Sequence, residues 1–424
     1  MIQVSSSPAP VRAVLGSFAL AVVLAVTGCA GAGGNARVDM ADASGDGVLR
    51  VGLILDSTGS NAFLNAAQLA AARLAVQDVN AAGGHRGRPV ELLPAHPERD
   101  TAAQAGDLVA AKADVVIGPT DSSNAAAAAD VLSRAHTPLI SPANTAAGLS
   151  SLNSGGYYFR TAAADVAQGP VLAKLAKDAG AGTVSVLYQE GSYGKDLSGA
   201  VTEAARHAGL TVLPAAGFKP GEAGQAAGSA AKARPDAVVL VAREGAKEVL
   251  AELEKAGVPG SKIILSDGAF ARYGSALPPR SLEGARALVP GHLPSAAFQG
   301  KLLAVDPALK DLSYAAETYD AVTLAALAAA RAQDDAGRSI AANLIAVSGG
   351  SADAAAGTPA APCLGYGACL GGLAAGPDIN YDGESGPVAF DSHGDITSAV
   401  FSVFTYGADN IPSPSGRETA GGAG

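Results

Sequence analysis

Apolar and polar positions alternate along the chain with the spacing that is typical of short buried strands and amphipathic helices. The apolar run of residues 48–55 leads through Asp56 into a Ser-Thr-Gly-Ser turn, which is typical of a buried parallel strand. Apolar residues then recur at helical spacing over residues 69–79 until Gly83 and Gly84 end the helix. The pattern therefore predicts a strand followed by a helix, the unit from which parallel sheets are built.

This unit repeats in two successive series. The first series predicts strands over residues 89–93, 114–117 and 137–140 and helices over residues 101–112 and 123–134. The second predicts helices over residues 169–178, 195–208, 226–232 and 246–256 and strands over residues 183–188, 210–213, 237–242 and 262–265. We therefore expect an α/β protein with two doubly wound lobes. Because ligands of open α/β sheets bind beyond the carboxyl ends of the strands, two facing lobes would form a cleft.

The pattern changes in the last third of the chain. One long helix is predicted over residues 313–333, and residues 348–377 form a loop region rich in Gly, Ala and Pro. Strand-like runs follow at residues 388–390 and 398–406. The tail, residues 412–424, has the composition of a disordered segment.

The amino terminus is typical of an export signal, residues 1–29. Arg12 precedes an apolar run, residues 13–26, which is shorter than the roughly 20 residues that a membrane-spanning helix needs. Cys29 follows small residues in a pattern that resembles a bacterial lipobox, in which the cysteine thiol is lipidated and the protein is anchored to the outer face of the cell membrane. The alternative is an ordinary secretory signal with an unrelated cysteine. Residues 30–47 then predict a flexible tether.

Composition narrows the possible partners. The chain has 424 residues, 48% of them hydrophobic, which excludes a disordered protein and leaves room for two domains. Its net charge of -10 argues against a nucleic-acid partner, which would need a basic face.

Two further cysteines, Cys363 and Cys369, lie close together in a Gly-rich segment. Outside the cytoplasm such a pair favours a disulfide. A metal site is the alternative, but no His cluster accompanies the pair. We therefore expect a structural disulfide and no metal or cofactor.

Several segments, in order along the chain, resemble the type I periplasmic binding proteins, in the branch of substrate-binding lipoproteins that serve ABC transporters for branched-chain amino acids. These segments are residues 51–59 (VGLILDSTG), 74–84 (LAVQDVNAAGG), 87–92 (GRPVEL), 116–119 (VIGP), 138–142 (PLISP), 158–161 (YFRT), 165, 168–169 (QG), 193–194 (YG) and 380–388 (NYDGESGPV). The resemblance implies a Venus-flytrap mechanism, in which the cleft closes on a ligand and the closed form docks on a membrane permease.

The resemblance also implies how the chain is divided between the lobes. Residues 48–164 and 285–388 would form the N-terminal lobe, and residues 165–284 and 389–411 the C-terminal lobe. A hinge of three strands would join them. We expect a monomer.

By resemblance, Ser122, Ala143 and Thr145 bind the ligand after the third and fourth strands. A helix N-terminus offers free N–H groups and partial positive charge to a ligand carboxylate, and a hydroxyl adds a donor. The residues themselves leave open the alternative that Ser122 caps its helix and Thr145 caps a turn.

Asp165 lies at the crossover between the lobes, where the family has a carboxylate that meets the ammonium group of the ligand. A charge-assisted hydrogen bond of this kind contributes about 1.5–3 kcal/mol. The alternative is that Asp165 caps the next helix. Asp267 is a second candidate for the ammonium, and Tyr193 either packs on the ligand side chain or packs within its own lobe.

Two departures from the family limit the choice of ligand. Leu64 lies near the position where relatives often carry an aromatic wall, and Asp121 precedes Ser122. If Asp121 faced the cleft, it would favour a cation or an amide over a carboxylate; solvent exposure is the alternative. The ligand is therefore expected to be a branched-chain or other amino acid, or an amide.

Signatures of catalysis are missing from the sequence. It contains no P-loop, no Gly-x-Ser-x-Gly elbow and no His-Glu-x-x-His.

Residues 378–383 resemble the start of a calcium-binding loop. Ala389, however, stands where a bidentate Glu is needed, so a turn is expected there. We expect a binding protein for an ABC importer and not an enzyme. A sensing protein that presents the same fold to a signalling partner is the alternative.

Overall fold

The computed structural model describes residues 1–3, 35–39, 43–57, 62–219, 221–291, 294–351, 360–376 and 378–421. Gly34–Gly424 make up one compact unit; of the other unit, Met1–Gly33, only residues 1–3 are described. The expected export signal beyond residue 3 and the lipidation site Cys29 lie outside the described residues.

Five parallel strands form the first sheet. They are β1 (Arg50–Leu53), β2 (Glu91–Leu92), β3 (Val115–Ile117), β4 (Leu139–Ser141) and β5 (Tyr158–Arg160), in the spatial order β2-β1-β3-β4-β5. The intervening helices are α1 (Asn65–Ala81), α2 (Thr101–Ala110) and α3 (Ala125–Arg134). Each strand is short and β1, β3, β4 and β5 are almost wholly buried, as strands covered on both faces should be.

The second sheet begins with the second βα series. Its helices are α4 (Gln168–Asp178), α5 (Ser192–His207), α6 (Ala223–Ala233) and α7 (Ala246–Lys255). Its strands are β6 (Thr183–Gln189), β7 (Thr211–Val212), β8 (Ala216–Phe218), β9 (Ala237–Val241), β10 (Ile263–Leu265) and β11 (Arg286–Pro290). The expected α/β fold with two lobes is confirmed.

The chain then returns to the first lobe through α8 (Ala296–Val305), α9 (Ala315–Ala332) and α10 (Gly337–Val347). Helix α9 packs against α1 and α10, and small Ala side chains allow this close approach. The segment expected to be a loop, residues 348–377, contains β12 (Pro362–Leu364) and α11 (Tyr366–Ala375). β12, β13 (Asn380–Gly383) and β14 (Gly386–Pro387) make a small third sheet, so the stretch that imitates a calcium loop is a strand and a hairpin.

Two boundaries expected from the sequence are wrong. Strand β11 belongs to the second sheet, where it pairs with β10, so the C-terminal lobe extends past residue 284 to the end of β11. The tail is not disordered over residues 412–421: β16 (Pro412–Gly421) pairs antiparallel with β15 (Ser398–Tyr406). Its prolines are tolerated because β16 is an edge strand.

The polypeptide crosses between the two large sheets three times: after β5, after β11 and between β14 and β15. The third crossing holds a single bridge between Phe390 and Ile396 where a short strand was expected. Cys363 and Cys369 are joined by a disulfide with an S–S distance of 2.00 Å, as expected.

The expected tether is not free where it is described. Arg37 donates from Nη2 to the carbonyl oxygen of Tyr158 at 2.5 Å. The backbone N–H of Gly47 donates to the Asp335 carboxylate at 2.9 Å. These hydrogen bonds hold both described parts of the tether on the first lobe. The composition of the tether, rich in small residues, could not predict them because their partners are distant in the sequence.

Candidate functional site in the interlobe cleft

Six strand ends converge on one region between the lobes. The residues that follow these ends, in the order β3, β4, β5, β6, β9 and β10, are Ser122, Thr145, Asp165, Tyr193, Arg243 and Asp267. Five of these six were singled out from the sequence. We call this group, together with Ala143 and Gln168, the cleft cluster.

The Ser122 hydroxyl is positioned by the backbone of the next loop. Its Oγ accepts the N–H groups of Thr145 at 3.2 Å and of Ala146 at 3.4 Å. A hydroxyl that accepts in this way keeps its own proton to donate. The capping role falls to Asp121, whose Oδ1 accepts the N–H of Ser123 at 2.8 Å. Asp121 is thus engaged with its own turn.

A buried ion pair supports the loop that carries Ala143 and Thr145. Arg160, fully buried, donates from Nε to Oδ1 of Asp395 at 2.6 Å and from Nη2 to Oδ2 at 2.8 Å. Its Nη1 donates to the carbonyl oxygen of Ala146 at 2.9 Å. Burial alone would raise the pKa of Asp395, but the bonds from Arg160 outweigh burial and hold this pKa below its ordinary value. One guanidinium therefore links the third crossing to the loop of the cleft.

Asp165 is 2% exposed and only one of its carboxylate oxygens has a partner among the described residues. Oδ2 lies 3.4 Å from Nη2 of Arg243, whereas Oδ1 is buried without a hydrogen bond. The side chain does not cap α4, whose N-terminus has no side-chain cap. Burial, and then the nearby Asp267 carboxylate, raise the pKa of Asp165 to about 7 against the opposing effect of Arg243.

Asp267 and Tyr193 form a tight polar pair in the second lobe. The Tyr193 hydroxyl donates to Oδ1 of Asp267 at 2.5 Å, and the amide of Gln168 donates to the same oxygen at 2.9 Å. Burial, together with the Asp267 and Asp165 carboxylates, raises the pKa of Tyr193 well above its ordinary value. Tyr193 therefore stays neutral and serves as a fixed donor and ring face.

Arg243 is the charged member of the cluster that sequence reasoning missed. Its guanidinium carbon lies 4.2 Å from the centre of the Tyr193 ring. Its Nη2 lies 3.5 Å from the Thr145 hydroxyl as well as close to Asp165. The signal was present, because Arg243 follows β9 at a carboxyl end, where the rule for α/β sheets places ligands.

Gly268 allows these side chains to approach each other. A Cβ at this position would lie 2.8 Å from Cγ of Arg243 and 2.9 Å from the Tyr193 hydroxyl oxygen. It would also lie 2.7 Å from the carbonyl oxygen of Ala242. Any larger residue would displace the loop that carries Asp267.

The start of α9 adds two half-buried groups near the crossings. Burial raises the pKa of the Glu317 carboxyl to about 7. The Thr161 hydroxyl donates to the Glu317 carbonyl oxygen at 2.9 Å. Tyr314, in the left-handed region with φ of 60°, has its pKa raised by burial and by the Asp267 and Glu317 carboxylates. Both residues line a small cavity of ≈ 20 Å³.

Leu64, near the position where relatives often carry an aromatic wall, is buried at 5% exposure. The neighbouring Phe63 is the exposed apolar residue of this segment, at 63%.

The cleft cluster offers the hydroxyls of Ser122 and Thr145, two carboxylates, the guanidinium of Arg243 and the ring of Tyr193. The backbone N–H groups of the loop are used within the protein, since those of Thr145 and Ala146 donate to Ser122 and that of Ala143 donates to Oγ of Ser141 at 3.3 Å. Among the described residues there is no group of three or more His, Cys, Asp or Glu side chains that could hold a metal ion. Charge-assisted hydrogen bonds are the strongest interactions such a set can make, and they suit a small molecule that carries both charges.

This architecture is that of a type I periplasmic binding protein, with two doubly wound lobes on either side of a cleft. The chain belongs to the periplasmic binding protein family, whose model matches residues 48–360. Family membership implies an extracytoplasmic location. Within the described part of the chain, no helix has the length and apolar character needed to cross a membrane.

A relative from Halobacterium salinarum is the chemotactic signal transduction system substrate-binding protein BasB, 27% identical over 84% of this chain and 84% of its own length. Among solved structures, the branched-chain amino acid transporter substrate-binding protein LivJ from Streptococcus pneumoniae, in complex with isoleucine, has a TM-score of 0.62 at 22% identity, covering 88% of this chain and 99% of LivJ. An ABC transporter solute-binding protein from R. palustris, in complex with benzoate, has a TM-score of 0.60 at 18% identity, covering 89% and 98%.

Proposed function

We propose that the protein is the substrate-binding component of an ABC importer and captures an amino acid in the interlobe cleft. The observation that carries the proposal is the unpartnered, buried Oδ1 of Asp165. A buried carboxylate oxygen without a donor is unfavourable, and a ligand ammonium group would satisfy it.

The other members of the cluster complete a pocket for a zwitterion. The Ser122 and Thr145 hydroxyls would donate to the ligand carboxylate, and Ala143 would line the pocket beside them. Asp165 and Asp267 would share the ammonium, and Tyr193 would support the ligand through its ring. Two structural neighbours support a role in transport. One is the substrate-binding protein of a branched-chain amino acid transporter in complex with isoleucine, and the other is the solute-binding protein of an ABC transporter in complex with benzoate.

The proposal includes the cellular setting. Cys29 would carry a lipid anchor that holds the protein on the outer face of the cell membrane, and the closed form would dock as a monomer on permease subunits. A lipid anchor would keep the ligand carrier close to the permease, which favours capture and delivery.

Sensing is a second candidate, because the relative from Halobacterium salinarum belongs to a chemotactic signal transduction system and matches this chain over 84% of its length. In that case the closed form would contact a signalling receptor. Ligand uptake and chemotactic response, measured in the source organism before and after deletion of this protein, separate the two candidates. Loss of uptake supports transport, and loss of the response with normal uptake supports sensing.

The binding function is tested by a thermal-shift screen of the purified protein against amino acids, amides, polyamines and aromatic carboxylates. A ligand at about a hundred times its dissociation constant stabilises by roughly 2.7 kcal/mol, which gives a measurable shift. We expect a shift with at least one amino acid, lost in Asp165→Ala and kept in Asp130→Ala, an exposed control on α3. A folded protein that responds to no amino acid contradicts the proposal.

A further inference from the structure

Arg243 places a cation in a cleft whose other charged groups are carboxylates. Its side chain is 52% exposed, so it faces the cleft solvent rather than the protein interior. The charged groups beside it are the carboxylates of Asp165 and Asp267.

Neighbouring residues of the second lobe fix the backbone and the side chain of Arg243. The side-chain oxygen of Gln189, at the end of β6, accepts the backbone N–H groups of Arg243 and Glu244, both at 2.9 Å. The guanidinium then stacks on Tyr193, which is itself fixed by Asp267. Because the backbone is fixed by Gln189 and the guanidinium is stacked on Tyr193, the five N–H donors of the guanidinium have a defined orientation.

An amino acid entering the cleft changes the partners of Arg243. The ligand ammonium and the guanidinium would both be neighbours of Asp165, and two cations beside one carboxylate repel each other. An aliphatic side chain would bury the guanidinium against apolar atoms as the lobes close, which is unfavourable. A side-chain carboxylate would accept the donors of Arg243 and leave Asp165 to the ammonium.

We propose that the cleft is selective for amino acids with an acidic side chain and that Arg243 is the specificity-determining residue that pairs with the side-chain carboxylate. In this arrangement Ser122 and Thr145 hold the α-carboxylate, and Asp165 with Asp267 holds the ammonium. The inference rests on the proposed function, because it names the ligand class of the same cleft.

Isothermal titration calorimetry of the full chain tests this inference with L-glutamate, L-aspartate, L-glutamine, L-leucine and glutarate. We expect L-glutamate or L-aspartate to bind more tightly than L-leucine. Arg243→Met should weaken the acidic ligand about 10- to 100-fold, the range for one charge-assisted contact, and should improve L-leucine. Arg243→Lys should lose less, since it keeps the charge without the planar fork.

The matched control is Arg206→Met on the exposed face of α5, which should leave every affinity unchanged. An equal loss of L-glutamate and L-leucine in Arg243→Met overturns the inference, because Arg243 would then serve the α-carboxylate. Tight binding of L-leucine over L-glutamate by the natural protein overturns it while leaving the proposed function intact. Glutarate as tight as L-glutamate contradicts the ammonium site at Asp165. A folded protein that binds none of the amino acids contradicts the proposed function itself.

Discussion

The guanidinium of Arg243 lies 3.4 Å from a carboxylate oxygen of Asp165, at the crossover between the lobes. Arg243 follows a strand of the second sheet, whereas Asp165 follows the last strand of the first. This ion pair therefore joins the crossover to the second lobe. A ligand ammonium at Asp165 would compete with Arg243 for the same carboxylate, so we expect the charge of the ligand to affect its affinity.

Ligand affinity should rise with pH around neutrality. The pKa of Asp165 is raised to about 7, so the free protein is partly protonated at neutral pH and the ammonium selects the ionised form. Between pH 5.5 and pH 8 the dissociation constant of the best amino acid should fall, with a limiting slope of about tenfold per pH unit below 7. Calorimetry across this range measures the slope.

Asp165→Asn should abolish most of this slope and weaken binding, because a neutral amide cannot attract the ammonium. Glu317→Gln is the necessary control, since Glu317 also has a pKa near 7. If the slope survives in Asp165→Asn and disappears in Glu317→Gln, the titrating group has been misassigned.

Asp165 should have the opposite effect on the stability of the ligand-free protein. Its folded pKa is raised above the unfolded value, so the folded state binds more protons between about pH 4 and pH 7. The free energy of unfolding should therefore fall in that window as pH rises, and the decrease should be smaller in Asp165→Asn. Urea denaturation at pH 5 and pH 8 compares the two proteins. Equal pH dependence in both would argue against a raised pKa.

Breaking the Arg160–Asp395 pair should destabilise the fold strongly. Both charges are buried, and removing one partner leaves the other uncompensated at a cost of about 3–5 kcal/mol. Arg160→Met should lower the urea midpoint accordingly and also weaken ligand binding, because the Ala146 loop loses its support. Arg134→Met, which removes an exposed pair with Asp130, should change little.

The same pair predicts acid sensitivity with a definite sign. Because the pKa of Asp395 is lowered in the folded state, its stabilising effect is present above the unfolded value and is lost as pH falls through the folded value. Stability measured below about pH 4 should therefore drop less in Asp395→Asn than in the natural protein.

Gly268→Ala should damage binding more than folding. The added Cβ would meet Arg243, Tyr193 and the carbonyl oxygen of Ala242 at distances under 3.0 Å, so the loop must shift. We expect a loss of affinity of at least tenfold with a change in stability of about 1–3 kcal/mol, as for overpacked sites. Gly228→Ala on α6, where an added Cβ meets nothing within 4 Å, is the control. Unchanged affinity would show that the contacts of Gly268 do not hold the site.

The disulfide should matter for stability alone. Cys363 and Cys369 close a short loop, which contributes about 2 kcal/mol in the chain-entropy estimate. The double variant Cys363→Ala and Cys369→Ala should unfold at lower urea and bind with unchanged affinity. A reduced affinity would link the small third sheet to the cleft.

The sequence by itself determined the alternation of strands and helices, and with it the fold class and the two lobes. That information is local: the apolar run before Asp56 and the helical spacing after it recur in every unit, and each unit must bury its apolar face. The strand-end rule predicted a cleft, and the resemblance to the family directed attention to Ser122, Thr145, Asp165, Tyr193 and Asp267. Their roles in binding remain predictions.

Only the tertiary structure decided which elements are neighbours. Strand β11 joins the second sheet and β16 adds an edge to β15 because of hydrogen-bonding partners distant in sequence. Likewise, Arg243 is unremarkable in the chain and becomes important only where Tyr193 lies beneath it and Asp165 opposite. The local pattern of apolar residues shows which face of a segment must be buried. Which residue pairs with a charge, or which strand pairs with a sheet edge, depends instead on contacts between residues far apart in the sequence.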